Sequence, residues 1–505
     1  MITLAKCEGR VDYNDLNSMI YSGFMYRKFF VLMLATVSFT GYTFPLTPSG
    51  NDWLNHATQG LAPYWMMESA QGIPVGNFPT FRCDDGTILD AQHPCSELNM
   101  GWISPDFNRE YTRMKSRQTY AYGVLFHLTG DKQALELAKK GSYYLINYLQ
   151  DKKNGGFVSY TQNGKPGLDW QQRTSQDQAY ALVGLAMYYY LTQDPKVEQV
   201  LIKQQAFIFD KYRLKDNRGL AWVLKDGEGY STKQRELVAQ LDQINGYLLL
   251  AAPLLPAAVE TKWKEDLRWL TQVLLEDYHS NEEQRFYGAV HHKAVMMPDA
   301  KHNDFGHTIK AYWMTYLSGR LLDNSDWVQR GFKGMKHTLK QAQYQQNFEV
   351  VQHLFSDELK YQWQGSSIPA WKSREYSNGS SSWEWAELDQ AAMTVSLVDG
   401  SMKDTLKYTL PTFMDAWVDH VYGGVGLNPK STKAFHWGNG YHQFEHALIG
   451  YLYAQQSDGK PAELYYARPE NSAMPLNPYY FQADRAEKLS VDGLIKKVRF
   501  TRIQP

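Results

Sequence analysis

The chain predicts an all-α fold, an (α/α)6 barrel of six helical hairpins with short β-hairpin turns at one end. Three observations carry this. Helix-length segments recur: RQTYAYGVLFHLTGD (117–131) is echoed by QDQAYALVGLAMYYYLTQD (176–194), each with a polar start, a Tyr-, Ala- and Leu-rich body and a Leu-Thr-x-Asp exit. Successive units close on an Asp followed by a Gly-aromatic turn, as in Asp151…Gly155-Gly156-Phe157, Asp210…Gly219-Leu220-Ala221-Trp222, Asp277…Phe286-Tyr287-Gly288 and Asp419…Tyr422-Gly423-Gly424. One helix start marks each unit, at Arg117, Asp177, Asp242, His307, Asp389 and His442. The intervals of 60, 65, 65, 82 and 53 residues each hold two helices and their loops. Six such hairpins close into a ring with the marked residues around one cavity. An open solenoid would need polar capping repeats, which the sequence does not offer.

The length of 505 residues allows two or three ordinary domains or one large one. The repeats select the second, a single barrel over 45–505, with a tail from about 457 that is Pro-rich, then extended (KKVRFTRI), and expected to cover the outside. Fifteen Trp and 35 Tyr exceed ordinary use; most fill a helical core, and such rings also suit a cleft that stacks on sugar C–H faces. A net charge of −1 gives no reason to expect nucleic acid.

At the N-terminus, Arg27-Lys28 precede FFVLMLATVSFTG, an apolar run short for a bilayer span, followed by TFPLTPSGND. That order is a signal peptide's. Residues 1–44 are therefore expected to be a leader, with a weak cleavage site at Thr36-Val37-Ser38 and Met25 as an alternative start. The mature protein is expected to be periplasmic or secreted, without stable membrane insertion, as a monomer or homodimer. Cys7 would leave with the leader; Cys83 and Cys95 are compatible with one disulfide or two free thiols.

The stretch KAFHWGNGYHQFEHALIGYLYA (433–454) is the most informative. A Gly- and Asn-bearing loop delivers Tyr441 and His442 to a helix start, and at about 100° per residue His442, His446, Ile449 and Tyr453 share one face. The equivalent place in the fourth unit, Asp304-Phe305-Gly306-His307, puts a second histidine in a first helical turn, where the helix N-terminus is expected to lower its pKa. Two histidines in equivalent repeat positions, with Arg117 in a third, outweigh the ordinary reading of each as a core residue.

These residues resemble the N-acylglucosamine 2-epimerase superfamily: GHTIKAYW at 306–313, YH at 441–442, SRQTY at 116–120 and the Trp385-Ala386-Glu387-Leu388-Asp389 helix, over most of residues 80–455. The resemblance implies the same barrel and a sugar 2-epimerase or aldose–ketose isomerase acting at C2 of a reducing sugar. It implies His307 and His442 as the proton-transfer pair, Arg117 on substrate oxygens and Trp385 lining the sugar site. Asp242, Glu387 and Asp389 would complete the shell. The chain departs from the family's pattern at Lys310, where a Glu is usual, at Asp242 and Asn245, where a His and a Glu are usual, and at Glu384, Glu387 and Asp389. The chemistry supports the pair independently, since removing and returning a proton α to a carbonyl needs groups titrating near neutrality. It requires no metal or nucleotide cofactor, and leaves open which histidine is base.

The main alternative is an (α/α)6 glycoside hydrolase or polysaccharide lyase using Asp177, Asp242, Glu387 and Asp389 as cavity carboxylates. A non-catalytic sugar-binding barrel is a third reading. His442-Gln443-Phe444-Glu445-His446 also matches H-x-x-E-H, a zinc-site pattern, but has no evident third ligand. His291 and His292, with His302 and Asp304, read as a solvated loop rather than a metal site.

Overall fold

The Leu-Thr-x-Asp exit is where one helix hands over to the next. In the computed structural model, which describes residues 47–505 except 228, 298–299, 343–380, 429–430, 471 and 473, helix Thr112–Thr129 ends on Gly130 at φ 74° and helix Ser175–Thr192 on Gln193 at φ 55°. The left-handed residue reverses the chain. The Asp that follows caps the outgoing helix: Asp131 Oδ1 accepts from the Gln133 and Ala134 amides, and Asp194 Oδ1 from those of Lys196 and Val197.

Six inner helices result among the described residues. They are Thr112–Thr129, Ser175–Thr192, Leu237–Gln243 (continued by a π turn Ile244–Leu248 into Leu249–Ala251), Phe305–Leu321, Ser382–Asp399 and Tyr441–Ser457. Each packs against the next and the sixth against the first, which closes the barrel. Arg117, Asp242 and Asp389 lie one to two turns inside their helices rather than at the starts. The Gly-aromatic segments form the expected short hairpins at one end, through the pairs Gln150–Phe157, Arg213–Leu220, His279–Phe286 and Val418–Val425. Two are clasped from the inner helices. Gln178 bonds both the N–H and C=O of Phe157, and Gln240 both those of Leu220.

Five outer helices follow their inner partners, starting at Lys132, Pro195, Ala257, Ser325 and Lys403. The sixth does not follow His442. It comes from the N-terminal side, as a helix over Gly50–Asn55, His56–Leu61 and Ala62–Met66 packed on Tyr441–Ser457. Gly450 makes the approach possible, since a Cβ there would sit 2.3 Å from the Trp53 ring. The tail also differs from expectation. Its strands Ala462–Tyr466, Gln482–Asp492 and Ile495–Gln504 form an antiparallel sheet with the last strand central, and it seals the floor of the barrel rather than its outside. His127 and Tyr190, near the C-terminal ends of inner helices, bond to Tyr465 O and Asn477 O of the tail. Cys83 and Cys95 are joined by a disulfide, and their loop is tied to the cavity rim through Arg82–Ala434 pairing and a bond from the Lys433 amide to Asp84.

The expected leader lies outside the described residues. No helix among the described residues is long and apolar enough to cross a membrane.

Trp53 is wholly buried and seals the seam between first and last helices. Trp53→Ala is expected to cost about 3–5 kcal/mol, read as a lowered urea midpoint. A change below about 1 kcal/mol would show that the N-terminal helix is dispensable for closure.

Candidate active site

The N-terminal ends of the inner helices enclose a cavity of about 560 Å³. Its inner wall carries Arg117, Tyr180, Asp242, His307, Lys310, Trp383 and His442; the 433–440 loop forms one side of the mouth. That loop sets the last inner helix: Asn439 Oδ1 accepts from the Tyr441 amide at 2.7 Å, and Trp437 O accepts from Arg117 Nη1 at 2.8 Å. The Arg117 guanidinium lies 3.9 Å from the centre of the Tyr180 ring, and its Nε is buried without a protein partner. Arg117 is thus held flat against an aromatic face with donor capacity left for a ligand.

Both predicted histidines are in the wall, and each is pinned in the same way. Asp304 caps its helix by accepting from the His307 amide at 2.7 Å, and its Oδ2 meets His307 Nδ1 at 2.8 Å. His442 Nδ1 meets Glu387 Oε1 at 3.0 Å. A carboxylate on Nδ1 fixes that nitrogen as the protonated one and leaves Nε2 for the cavity. Trp383 touches both rings, with centroids 4.9 Å from His307 and 5.8 Å from His442. Gly306 permits this, because a Cβ there would stand 2.6 Å from the Trp383 ring.

The two imidazoles are not equivalent. Burial opposes protonation of His307, but the Asp304 carboxylate outweighs it and holds the ring above its ordinary 6.5. This corrects the expectation of a lowered pKa at the helix start, because the capping carboxylate is closer than the end of the dipole. Burial pushes His442 down to about 4; the hydrogen bond that its Nδ1–H donates to Glu387 opposes this, while the charges of Lys310 and Arg117 add to it. At neutral pH His442 is therefore uncharged, while His307 holds its proton to a higher pH than an ordinary imidazole.

Of the other predicted residues, Arg117 and Asp242 line the cavity, and Gln176 Nε2 donates to Asp242 at 2.7 Å. Glu387 lies just behind the wall, bound to His442 and, at 3.2 Å, to Lys310. Trp385 does not line the sugar site. It points outward, donating to Thr409 O and packing on Trp417, and Trp383 takes the place expected of it. Residues two apart on a helix point about 200° away from each other, so an inward Glu387 already implied an outward Trp385 and an inward Trp383. Asp389 is buried against His446 at 3.0 Å, away from the cavity. His446 packs edge-on against Trp53 and Phe413 of the outer layer, so it does not converge with His442 as the H-x-x-E-H pattern required. His291 and His292 are exposed, whereas His302 packs against His307 with the rings tilted and their centroids 4.6 Å apart, and lines the cavity.

Glu387, His442 and Glu445 come within metal-ligand reach of one another. They fit an ion poorly, because Lys310 already lies as a cation on Glu387, His442 uses Nδ1 there, and Glu445 accepts from Tyr479 Oη at 2.5 Å. The Cys83, Cys95 and Glu97 group is likewise spent, its sulfurs being joined.

Asp304→Asn keeps an N-cap acceptor but removes the charge. The His307 titration midpoint, followed by imidazole NMR, is expected to fall from above 6.5 to below it. The sign follows for stability. A histidine raised in the folded state stabilises fully below its unfolded pKa, and that contribution is lost as pH rises through the folded one. The variant's stability deficit should thus shrink on the alkaline side. An unmoved midpoint would remove Asp304 as the cause.

Residues 101–316 match the N-acylglucosamine 2-epimerase family model. No curated protein matches the chain in sequence. Among solved structures, a sugar epimerase from a ruminal bacterium superposes with a TM-score of 0.61 at 15% identity, covering 80% of this chain and 98% of its own. Cellobiose 2-epimerase from Spirochaeta thermophila DSM 6192 gives 0.61 at 15%, covering 80% and 96%. D-mannose isomerase gives 0.60 at 13%, covering 82% and 99%. The resemblance read from the motifs is therefore upheld, by the family model over residues 101–316 and by the (α/α)6 fold over most of the chain.

Proposed function

We propose that the protein is a carbohydrate epimerase or isomerase that exchanges a proton at C2 of an open-chain reducing sugar. The observation that carries this reading is the oppositely tuned pair: two imidazoles fixed through Nδ1, one shifted down and one shifted up, around one Trp383 ring. His442, neutral at working pH, takes the C2 proton on Nε2. The C–H electron pair forms the C1–C2 double bond of an enediolate, and the carbonyl electrons move to O1. His307, protonated, supplies the acid. Delivery to the opposite face of C2 gives the epimer; protonation at C1, with loss of the O2 proton, gives the ketose. Arg117 binds the oxygens where charge develops.

Of the four carboxylates named for a hydrolase, three are engaged elsewhere, and the fourth, Asp242, lines the cavity and accepts from Gln176, one acid where a hydrolase needs two. Asp177 is paired with Arg113, Glu387 with Lys310 and His442, Asp304 with His307, and Asp389 with His446. The proposal extends to an exported protein without a cofactor, supported by the Cys83–Cys95 disulfide and the apolar run behind Arg27-Lys28. N-terminal sequencing of the extracytoplasmic protein should begin after the apolar run; protein confined to the cytoplasm with its N-terminus intact would defeat that part.

Incubation with glucose, mannose, cellobiose, N-acetylglucosamine and N-acetylmannosamine in D₂O is expected to place deuterium at C2 of at least one sugar. His442→Ala and His307→Ala should each lower the rate at least 100-fold, on the scale of general acid–base contributions. The rate should fall on the acid side near pH 4, where His442 protonates, and on the alkaline side above 6.5, where His307 loses its proton. An unchanged rate in either alanine variant would refute the assignment.

A further inference from the structure

The mechanism above leaves one buried cation in the cavity wall without a role. Lys310 lies one turn along the helix from His307, is 4% exposed and lines the cavity. Its ammonium has three N–H donors. One meets Glu387 Oε1 at 3.2 Å. A second meets the Asn245 amide oxygen at 3.1 Å, with the amide turned so that its nitrogen donates to Asp242 Oδ1 and Leu241 O, each at 3.1 Å. The third is left for the cavity. A continuous polar chain results, Asp242–Asn245–Lys310–Glu387–His442, running from the third inner helix through the fourth and fifth to the sixth.

Holding His442 in its tautomer needs only the acceptor on Glu387. Burying an ammonium beside that carboxylate costs desolvation and opposes the protonation of His442, the event the reaction requires. A cation placed against the base is useful if negative charge develops next to it during the reaction. Deprotonation at C2 creates such charge on O1, and the cavity places Lys310 and Arg117 in the same wall as His442. We propose that Lys310 is a catalytic residue, donating its free N–H to the enediolate oxygen of the substrate opposite or beside Arg117. As His442 takes the C2 proton, the carbonyl π electrons pass to O1 and the Lys310 and Arg117 donors stabilise that oxygen. Lys310 keeps its own protons throughout. This inference rests on the C2 proton-exchange reading.

Lys310→Met alone strands the Glu387 carboxylate, so the informative variant is Lys310→Met/Glu387→Gln, which is neutral and keeps an acceptor for His442 Nδ1–H. Lys310→Arg, which retains the charge, covers the case in which the neutral pair fails to fold. The C2 deuterium exchange of wild type and variants is measured with the sugar that wild type exchanges. Inhibition is measured with two probes, the hydroxamate of its aldonic acid as an enediolate mimic and its alditol as a neutral one. Loss of one oxyanion donor predicts a kcat lower by about 100–1,000-fold, a comparable loss for the hydroxamate and an alditol affinity within about threefold. Lys310→Arg, whose fork cannot occupy the ammonium's place between Glu387 and Asn245, should lose at least tenfold in kcat while keeping alditol affinity. A neutral pair, or failing that an arginine variant, exchanging within about threefold of an active wild type would overturn the inference alone. Equal losses for hydroxamate and alditol would reduce Lys310 to a structural role and overturn it too. If wild type exchanges deuterium into no sugar, the functional reading fails first and the inference falls with it.

Discussion

The carboxylate of Glu387 is wholly enclosed, and it acts on the ionisable groups around it, Lys310, His442 and Glu445. Burial alone would protonate it; the Lys310 ammonium outweighs burial, with the His442 contact adding to it, and holds it down at about 2. It is therefore an anion at any pH at which the protein works. A fixed anion has two consequences. It orients His442 by accepting at Nδ1, and it compels its neighbour Glu445, which burial and the repulsion of Glu387 push up to about 7, to share the negative charge only partly. Removing Lys310 or Glu387 singly would leave an uncompensated charge in a low-dielectric layer. Such breaks cost far more than the net worth of the pair.

Below this layer the C-terminal tail enters the argument. Tyr479 Oη donates to Glu445 at 2.5 Å and lies 2.6 Å from Tyr120 Oη, and Tyr480 Oη donates to Asn245 O at 2.9 Å. Two consecutive tyrosines from outside the helical repeats thus satisfy polar groups under the cavity floor, one on the sixth inner helix and one on the third. The sheet that seals the barrel is accordingly not a remote appendage. The tail segment that leads into its second strand supplies hydroxyls that the buried acid of the last helix would otherwise lack, and a buried acceptor without a donor is costly.

How far the sequence could be read follows from which of these interactions are local. The barrel was legible because its period is written in caps and turns: Asp131 and Asp194 act within three residues, and Gln178 and Gln240 grip hairpins about twenty residues back. His307 and His442 stood out for the same reason, since each occupies a first turn. What escaped depends on distant partners. The last outer helix comes from the N-terminal end because a ring has no privileged first member, and no local signal links Trp53 to Gly450. Asp389 looked like a cavity acid until His446 and the outer layer drew it away. Trp385 was the exception, an error in helical geometry rather than in missing information, because Trp383 shares a face with Glu387 and Trp385 does not.

The departures from the family's pattern acquire a common cause once placed in space. Positions 242, 245, 310 and 387 lie on three segments of sequence and on one hydrogen-bonded chain. An acidic residue at 310 would face Glu387 across about the length of a salt bridge, and two carboxylates cannot both ionise at that separation in a buried layer. A lysine there needs an anion, which Glu387 provides, and a neutral acceptor, which Asn245 provides. A histidine at 242 would put a further imidazole in a wall where His302 is already forced neutral, at about 3, by burial and by the charge of His307. The four residues are therefore not independent of one another. Each is the condition for the next, and together they exchange the charge pattern of one wall while leaving His307 and His442 their cavity-facing nitrogens.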